Sequence, residues 1–314
     1  MSTAVDDTRK GKKQKVALTD RARGERNLGW LLAAPAFLVM LAVTLFPILY
    51  ALWNSLFQFR LTDPDGKRFV GLQNYMTALS DELWWKATAV TALITLITVV
   101  VELVLGFLIA LLMHRVVLPR KTLRTIVLIP YSIVTVVSAY AWLYAFRVDT
   151  GFVNYWMNTL TLGAFGQDFN WFGSFWPAIF VISLSEIWKT TPFMSLLLLA
   201  GLAQIDGAME EAAAVDGAGF WQRLWKVVIP NMKAAIMVAV LFRTLDAFRI
   251  FDNPFIMTGG ANETSTLSMV VYRQTIERMD IGLGSALSVL LFAYVVIIAL
   301  VFVRGFKVDL TEGK

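Results

Sequence analysis

The sequence predicts an all-α protein that crosses a membrane several times, and three observations support this fold class. Of the 314 residues, 57% are hydrophobic and only 16% are charged, whereas a soluble protein of this size would expose far more charge. Several apolar stretches exceed the roughly 20 residues that cross a hydrocarbon core about 30 Å thick. The sequence shows none of the ten-residue alternating segments that are typical of an outer-membrane barrel.

Six apolar segments are long enough to be transmembrane helices. Because lipid offers no partners to backbone N–H and C=O groups, each segment must satisfy its own, which favours helices. The first segment follows a basic stretch, but it is too long for a usual signal-peptide core and five more follow it, so we interpret it as an anchor. The predicted spans are 30–53, 87–113, 125–146, 176–200, 234–257 and 283–303.

The distribution of basic residues predicts the orientation in the membrane. The net charge is +5, and one set of segments outside the spans holds eighteen Lys and Arg while the alternate set holds seven. Because basic residues favour the cytoplasmic side, we expect both termini and the connection between the fourth and fifth spans to be cytoplasmic. Membrane topology thus accounts for the charge without a nucleic-acid partner.

The scarcity of Cys and His excludes several kinds of chemistry. The chain has no Cys and a single His, so disulfides, thiolate metal sites and multi-histidine metal sites cannot form. His114 stands at the cytoplasmic end of the second span and is interpreted as an interfacial residue. No G-x-x-x-x-G-K-[ST] sequence is present, so we expect no nucleotide site on this chain.

The connection between the fourth and fifth spans is polar and rich in small residues. Asp206 can cap a helix whose first turns carry Glu210 and Glu211, negative charges near the positive end of the helix dipole. Gly217 is suited to a positive φ that would break this helix. An aromatic helical stretch follows, and Pro230 is predicted to stop it before the fifth span.

The same connection carries a family motif. Its seven matching positions are Glu211-Ala212-Ala213, Gly217, Val227 and Ile229-Pro230. This pattern resembles the EAA loop of binding-protein-dependent ABC importer permeases. An ordinary amphipathic connector is the alternative, but it would not require Gly and Pro at these spacings.

Three further segments resemble the carbohydrate-uptake branch of that family, of the maltose- and trehalose-permease type. They are Val70-Gly71-Leu72-Gln73-Asn74-Tyr75, Gly151-Phe152-Val153-Asn154 and Thr258-Gly259-Gly260. The third one departs from the usual pattern, since Ala261 stands where Pro is usual. The resemblance extends over nearly the whole chain beyond the basic tail.

The resemblance implies a set of partners and a docking site. The expected complex contains a second permease as heterodimer partner, two cytoplasmic ATPases that hold the ATP and Mg, and an extracellular sugar-binding lipoprotein in a bacterial inner membrane. The expected organisation is a basic tail (1–29), a permease domain (30–304) with a coupling segment (206–230), and a short C-terminus (305–314). The ATPase-docking residues are expected to be Glu210, Glu211, Ala212, Ala213, Asp216, Gly217 and Pro230.

The fifth span holds four charges three residues apart, namely Arg243, Asp246, Arg249 and Asp252. An ionisable residue inside a span costs about 2.5–3.5 kcal/mol on insertion scales, so each one needs a partner or a wet cavity. Two interpretations stay open: a self-neutralising ladder at the joint with the second permease, or a polar wall along the sugar path. Glu102 has no sequence neighbour of opposite sign, and we expect it to face a neighbouring helix or water.

The resemblance also implies where substrate passes. By register with the maltose permease, the substrate-path positions are Glu186, Lys189, Thr190, Phe193, Arg243, Asp246 and Ala247. Several depart from the residue types that the family uses, although charged groups make strong hydrogen bonds to sugar hydroxyls. A simple i,i+3 ion pair is the alternative for Glu186 and Lys189.

The function that these features favour is the permease subunit of an ATP-driven sugar importer, with trehalose or maltose as the expected type of substrate. An ion-coupled secondary transporter is the alternative, because it would also use acids and bases in the membrane. Such a transporter usually shows an internal repeat, and the two halves of this chain show none by eye. An intramembrane enzyme lacks a credible catalytic set.

Overall fold

The computed structural model describes residues 20–115 and 120–305, and this part of the chain is mainly helical with one two-stranded hairpin. The chain divides into two compact units, Met1–Tyr50 and Ala51–Lys314. The helices are α1 (Asp20–Asn54), α2 (Gln73–Ser80), α3 (Glu82–Arg115), α4 (Arg120–Ser132), α5 (Thr135–Phe146), α6 (Val153–Leu160), α7 (Phe175–Leu202), α8 (Gly207–Val215), α9 (Phe220–Arg223), α10 (Ile229–Asn231), α11 (Lys233–Ala247), α12 (Asp252–Met257), α13 (Leu267–Tyr272) and α14 (Ile281–Gly305). Two π-helical turns, Leu224–Val228 and Arg273–Glu277, follow α9 and α13, and the strands are β1 (Phe57–Arg60) and β2 (Asp63–Phe69).

The long apolar helices agree with the predicted fold class. Within the described residues, three helices are long and apolar enough to cross a membrane: Leu28–Asn54, Glu82–Arg115 and Ile281–Gly305. Two bent helix pairs, α4 with α5 and α7 with α8, raise this number to five if each pair forms one span. The count of six spans stays a prediction.

Parts of the predicted tails lie outside the described residues, namely 1–19 and 306–314. The remaining part of the predicted N-terminal tail is helical, since α1 begins at Asp20.

The predicted third span is not one straight helix. Helix α4 ends at Ser132, α5 begins at Thr135, and their axes differ by 81°. Pro130, two residues before the end of α4, has no N–H to donate and its ring clashes with the preceding turn. The predicted span over 125–146 is therefore helical in both of its halves but sharply bent between them.

The predicted fifth span is also interrupted. Helix α11 ends at Ala247 and α12 begins at Asp252, with Pro254 in the first turn of α12, where a missing N–H costs nothing. The 15 residues of α11 extend about 22 Å at 1.5 Å per residue, less than the roughly 30 Å of a hydrocarbon core. The four charges of the predicted ladder therefore do not share one continuous helix.

The structure contains a β-hairpin that the sequence did not predict. Strands β1 and β2 pair antiparallel, with Phe57 opposite Phe69 and Gln58 opposite Arg68. The hairpin contacts the start of α14, where Arg60 Nε donates to Asp280 Oδ2 at 3.0 Å. Predicting spans by hydropathy treats such polar connections as loops, so strand pairing within them goes unseen.

The core of the second unit lies where α3, α7 and α11 pack together. A buried cluster of apolar side chains joins them, including Met113 of α3, Met194 and Leu198 of α7, and Ala239 of α11. Gly106 allows α3 to approach α7 closely, because a Cβ at this position would come within 2.8 Å of the Met194 side chain. Small residues at helix contacts are the usual means of close packing in membrane proteins.

Candidate functional site

A polar cavity of about 430 Å³ lies beside this core, and both helix breaks open onto it. The break between α4 and α5 contributes Tyr131 and Thr135, and the break between α11 and α12 contributes the stretch from Arg249 to Phe251. At membrane depth, irregular backbone is tolerated where it is buried in protein or lines a cavity. The lining consists of Tyr131, Thr135, Glu186, Lys189, Thr190, Asp246, Arg249, Ile250, Phe251, Asp252 and Asn253.

Arg243 lies behind the cavity wall and forms a two-pronged ion pair with Glu102. The Arg243 Nε lies 2.5 Å from Glu102 Oε2, and Arg243 Nη2 lies 3.0 Å from Glu102 Oε1. Both side chains are buried, Arg243 at 1% exposure and Glu102 at 0%. Glu102 therefore faces neighbouring helices, one of the two expectations for it, and its partner is a residue of the predicted substrate path.

The same guanidinium holds two more carboxylates. Arg243 Nη2 donates to Glu186 Oε1 at 2.8 Å, and Arg243 Nη1 donates to Asp246 Oδ2 at 2.9 Å. The Asp246 side chain is 66% exposed, whereas that of Glu186 is 10% exposed. One buried cation thus fixes the position of two acids in the cavity lining.

Two polar side chains add hydrogen bonds to the carboxylates of this cluster. Asn253 Nδ2 donates to Glu186 Oε2 at 2.6 Å, and the Thr190 hydroxyl lies 2.6 Å from Glu102 Oε1. The bond to Glu186 fixes the amide orientation, and the buried Asn253 Oδ1 has no hydrogen-bond partner among the described residues. A buried acceptor without a partner is costly, which makes Asn253 the least satisfied member of the cavity lining.

Lys189 stabilises the break between α4 and α5. Its Nζ donates to the carbonyl oxygens of Ile133 at 2.9 Å and Tyr131 at 3.4 Å, two groups that a continuous helix would have satisfied. The structure therefore does not form the alternative i,i+3 ion pair of Lys189 with Glu186. Each of these side chains has partners on other helices instead.

The predicted substrate-path residues fall into two groups. Glu186, Lys189, Thr190 and Asp246 line the cavity. Three others do not line it: Arg243 is behind the wall, Ala247 is buried at 1% exposure, and Phe193 stacks on Tyr131 with ring centroids 5.4 Å apart.

The predicted charge ladder is formed only at its first step. Arg243 pairs with Asp246, whereas Arg249 Nε donates to the Leu245 carbonyl oxygen at 3.2 Å. Arg249 and Asp252 line the cavity without an ion pair to any described residue. The helix break turns them away from the row that a continuous helix would have produced.

Sequence reasoning missed Asn253, Tyr131 and Thr135, and assigned no role to Glu102. The isolated charge at Glu102 was a signal, because a lone acid in an apolar span needs a buried cation somewhere. Tyr131 and Thr135 follow Pro130 in the chain, and a proline inside an apolar segment does not indicate what the residues after it would face.

The predicted coupling segment begins as the sequence indicates. Asp206 caps α8, since its Oδ1 accepts from the Ala208 N–H at 3.0 Å. Gly217 follows α8 with φ +79°, the positive value predicted for it. No residue of α8 is buried, and Val215 at its end is 88% exposed. The segment therefore presents a short helix that the described residues leave uncovered.

The second helix ends one residue after Pro230, at Asn231, so its end falls before α11 and close to the predicted position. Pro230 lies inside α10, and the helical path pauses two residues later at Met232 before α11 begins. The π-helical turn Leu224–Val228 precedes it, and such a wider turn accommodates a proline that cannot donate. Of the seven predicted docking residues, Glu210 and Ala213 are half-buried and the other five are exposed.

A polar cavity at two broken helices within an apolar helical bundle defines a polytopic membrane transport protein. The chain belongs to the family of binding-protein-dependent transport system inner membrane components. The sequence model of this family matches residues 102–307.

Known relatives and a solved structure resemble nearly the whole chain. The trehalose transport system permease protein SugA of Mycobacterium tuberculosis is 48% identical over 298 residues, 94% of either chain. The trehalose/maltose transport system permease protein MalF of Thermococcus litoralis is 36% identical over 282 residues, 89% of this chain and 94% of that one. A crystal structure of a bacterial ABC transporter involved in alginate import contains a chain with the same fold, with TM-score 0.75, 20% identity, and 93% of this chain and 100% of that one covered.

Proposed function

We propose that this chain is the membrane-spanning permease subunit of an ATP-driven importer for a sugar, a disaccharide such as trehalose or maltose. The two relatives support this substrate class, because one is named as a permease for trehalose and the other as a permease for trehalose and maltose. The proposed substrate passes through the cavity between α4, α5, α7, α11 and α12.

The cavity itself is the observation that carries the proposal. Its volume of about 430 Å³ falls within the range of roughly 300–1,000 Å³ that is usual for small-ligand sites. Acids and bases both line it, so its field favours a neutral ligand with many hydroxyl groups over an ion of either sign. Charged groups make the strongest hydrogen bonds to hydroxyls, and Tyr131 adds an aromatic ring.

The proposed partners follow from the family. Two ATPases would bind ATP and Mg, a second permease would complete the pathway, and a sugar-binding lipoprotein would deliver substrate from outside. The proposed contact with the ATPases is the exposed α8 segment, from Glu210 to Gly217, with Pro230 nearby. Rigid-body coupling at such a joint requires contacts that differ between two states.

We also propose the orientation in the membrane and the division of the chain that the sequence predicts. The cytoplasmic side of the inner membrane would hold both termini, with 1–29 as the tail, 30–304 as the permease domain and 305–314 as the C-terminus. The excess of Lys and Arg in alternate connections supports this orientation.

Uptake by proteoliposomes that contain all the proposed subunits tests the function. Labelled trehalose should accumulate only when ATP reaches the ATPases, and accumulation should continue after ionophores collapse the proton and sodium gradients. Loss of uptake with the gradients would support the ion-coupled alternative. ATP-driven uptake of another solute, with none of trehalose or maltose, would overturn the substrate class but not the class of transporter.

A further inference from the structure

Two apolar grooves adjoin each other at the end of the bundle that carries α8. The first, of about 500 Å³, lies between the second half of α3 and the stretch that begins at Phe220; Phe107, Leu108 and Trp221 contribute to it. The second, of about 420 Å³, lies between that stretch and α11. The same three side chains, Leu103, Ile229 and Ile236, line both grooves, so the two share a wall.

Each groove has a cation at its edge. Arg115 is the last residue of α3, and its guanidinium lies 4.6 Å from the centroid of the Phe220 ring, which lines the first groove. Lys233 is the first residue of α11 and lines the second groove. Both residues are exposed, and neither forms an ion pair with a described residue.

We propose that this pair of grooves binds one anionic phospholipid, with an acyl chain in each groove and its phosphate between Arg115 and Lys233. A glycerophospholipid has two apolar chains and one anionic group, and the site has two apolar grooves and two cations that form no ion pair with an acid in the described part of the chain. Basic residues just inside a membrane attract anionic headgroups.

The aromatic side chains place the grooves at the depth of a lipid headgroup. Trp221 and Trp225 line the first groove and are 67% and 64% exposed. Exposed tryptophan favours the membrane interface, where the ring is apolar and the N–H reaches water. Arg223 and Lys226 alternate with these rings along the same helical stretch, a pattern typical of helices that lie in the interface.

The bound lipid would stabilise the segment on which α8 rests. Helix α8 contacts the π-helical turn Leu224–Val228, and Leu224 of that turn lines the first groove. Lipid in the groove would therefore hold the base of α8 in place. This site goes beyond the proposed function, since lipid binding needs neither sugar nor nucleotide.

The binding experiment uses the full chain in its purified complex, exchanged against mixed vesicles of phosphatidylglycerol and phosphatidylcholine. Native mass spectrometry then counts the lipids that the protein retains. The wild-type chain should retain phosphatidylglycerol in preference to phosphatidylcholine. Replacing Arg115→Gln and Lys233→Gln should reduce this preference by about fivefold for each cation, since one basic residue near a membrane contributes roughly that factor.

A matched control removes two exposed arginines elsewhere, through Arg68→Gln and Arg278→Gln. It should leave the preference for phosphatidylglycerol unchanged, which distinguishes a specific site from general attraction between opposite charges.

A second pair of variants tests the groove itself. Leu108→Trp should fill the first groove and lower the number of lipids that the protein retains. Leu96→Trp, at an exposed position of α3 that does not line the groove, should not lower it.

Three results would overturn the proposal. One is equal retention of the two lipids by the wild-type chain, and another is an equal response of the two charge-removing pairs. The third uses the absence of native Cys. A single Leu108→Cys variant that cross-links efficiently to the second permease in the assembled complex would show that a protein partner, and not lipid, covers the groove.

Discussion

Arg243 and Glu102 stand 141 positions apart in the chain, and their side chains meet through two hydrogen bonds, from Nε to Oε2 and from Nη2 to Oε1. The pair joins α11 to α3 inside the bundle, and Glu186 brings α7 to the same guanidinium. A buried charge that loses its partner is strongly destabilising, so these contacts tie the three central helices together. They also set the direction in which Asp246 points.

Replacing Glu102→Gln should lower stability. The amide has nearly the same shape but no negative charge. Arg243 therefore stays buried but loses one of its two buried acidic partners, and only Glu186 remains. Breaking a buried pair costs about 3–5 kcal/mol, and the two remaining acids should reduce this toward the lower end. Thermal unfolding in detergent should show a clearly lower midpoint. Glu277→Gln, at an exposed acid, serves as the control, and equal midpoints for both variants would contradict the role of the pair.

Removing both partners should be less harmful than removing the cation alone. Arg243→Met leaves three carboxylates without their common partner, and adding Glu102→Gln removes one of them. The midpoint of the double variant should therefore exceed that of Arg243→Met alone, the non-additivity expected of residues in one network. A double variant that is less stable by the sum of both losses would mean that the two side chains act independently.

Replacing Asp246→Asn should weaken sugar recognition with little effect on stability, because this side chain is 66% exposed toward the cavity. Hydrogen bonds to charged groups contribute about 1.5–3 kcal/mol, so the KM for uptake should rise by roughly tenfold or more. Initial uptake rates over a range of trehalose concentrations measure this change. Asp168→Asn, at an exposed acid outside the cavity, should leave KM unchanged. An equal rise in KM for this control variant would show that Asp246 has no specific role in sugar recognition.

Replacing Gly217→Val should uncouple this chain from the proposed ATPases. The backbone at this position has φ +79°, which costs a side-chain-bearing residue about 1–2 kcal/mol, and a β-branched one most of all. Sugar-stimulated ATP hydrolysis should fall several-fold while the amount of inserted protein stays constant.

Gly207→Val is the matched control for that substitution. It adds the same side chain at the other end of α8, where no atom lies within 4 Å of a new Cβ and φ lies outside the left-handed range. Coupling should survive there. If both variants hydrolyse ATP as the wild type does, the conformation at Gly217 has no part in coupling.

Local signals in the sequence predicted the local structure well. Asp206 caps α8 as its position before a small-residue helix suggested, and Gly217 adopts the positive φ that its place after α8 indicated. Both outcomes depend on residues within a few positions of each other. The helical fold class is confirmed for the same reason, because long apolar runs leave few other ways to satisfy the backbone.

The cavity could not be predicted in this way, because it depends on contacts between distant residues. Hydropathy gave continuous third and fifth spans, yet Pro130 and the stretch before Pro254 interrupt them, and the interruptions meet at one cavity. Glu102 lacked a partner in sequence because its partner lies on α11. The carboxylate of Asp246 belongs to the cavity, whereas its neighbour Ala247 is buried in the helix packing.

The proposed passage of sugar through the cavity is best tested by an experimental structure of the assembled transporter, trapped with its sugar inside the membrane. We expect sugar density in the cavity between α7 and α11, within hydrogen-bonding distance of Asp246 and at least one of Glu186, Lys189 and Asn253. Density for the sugar elsewhere along the membrane path, with the cavity closed by protein side chains in that same trapped state, would contradict it.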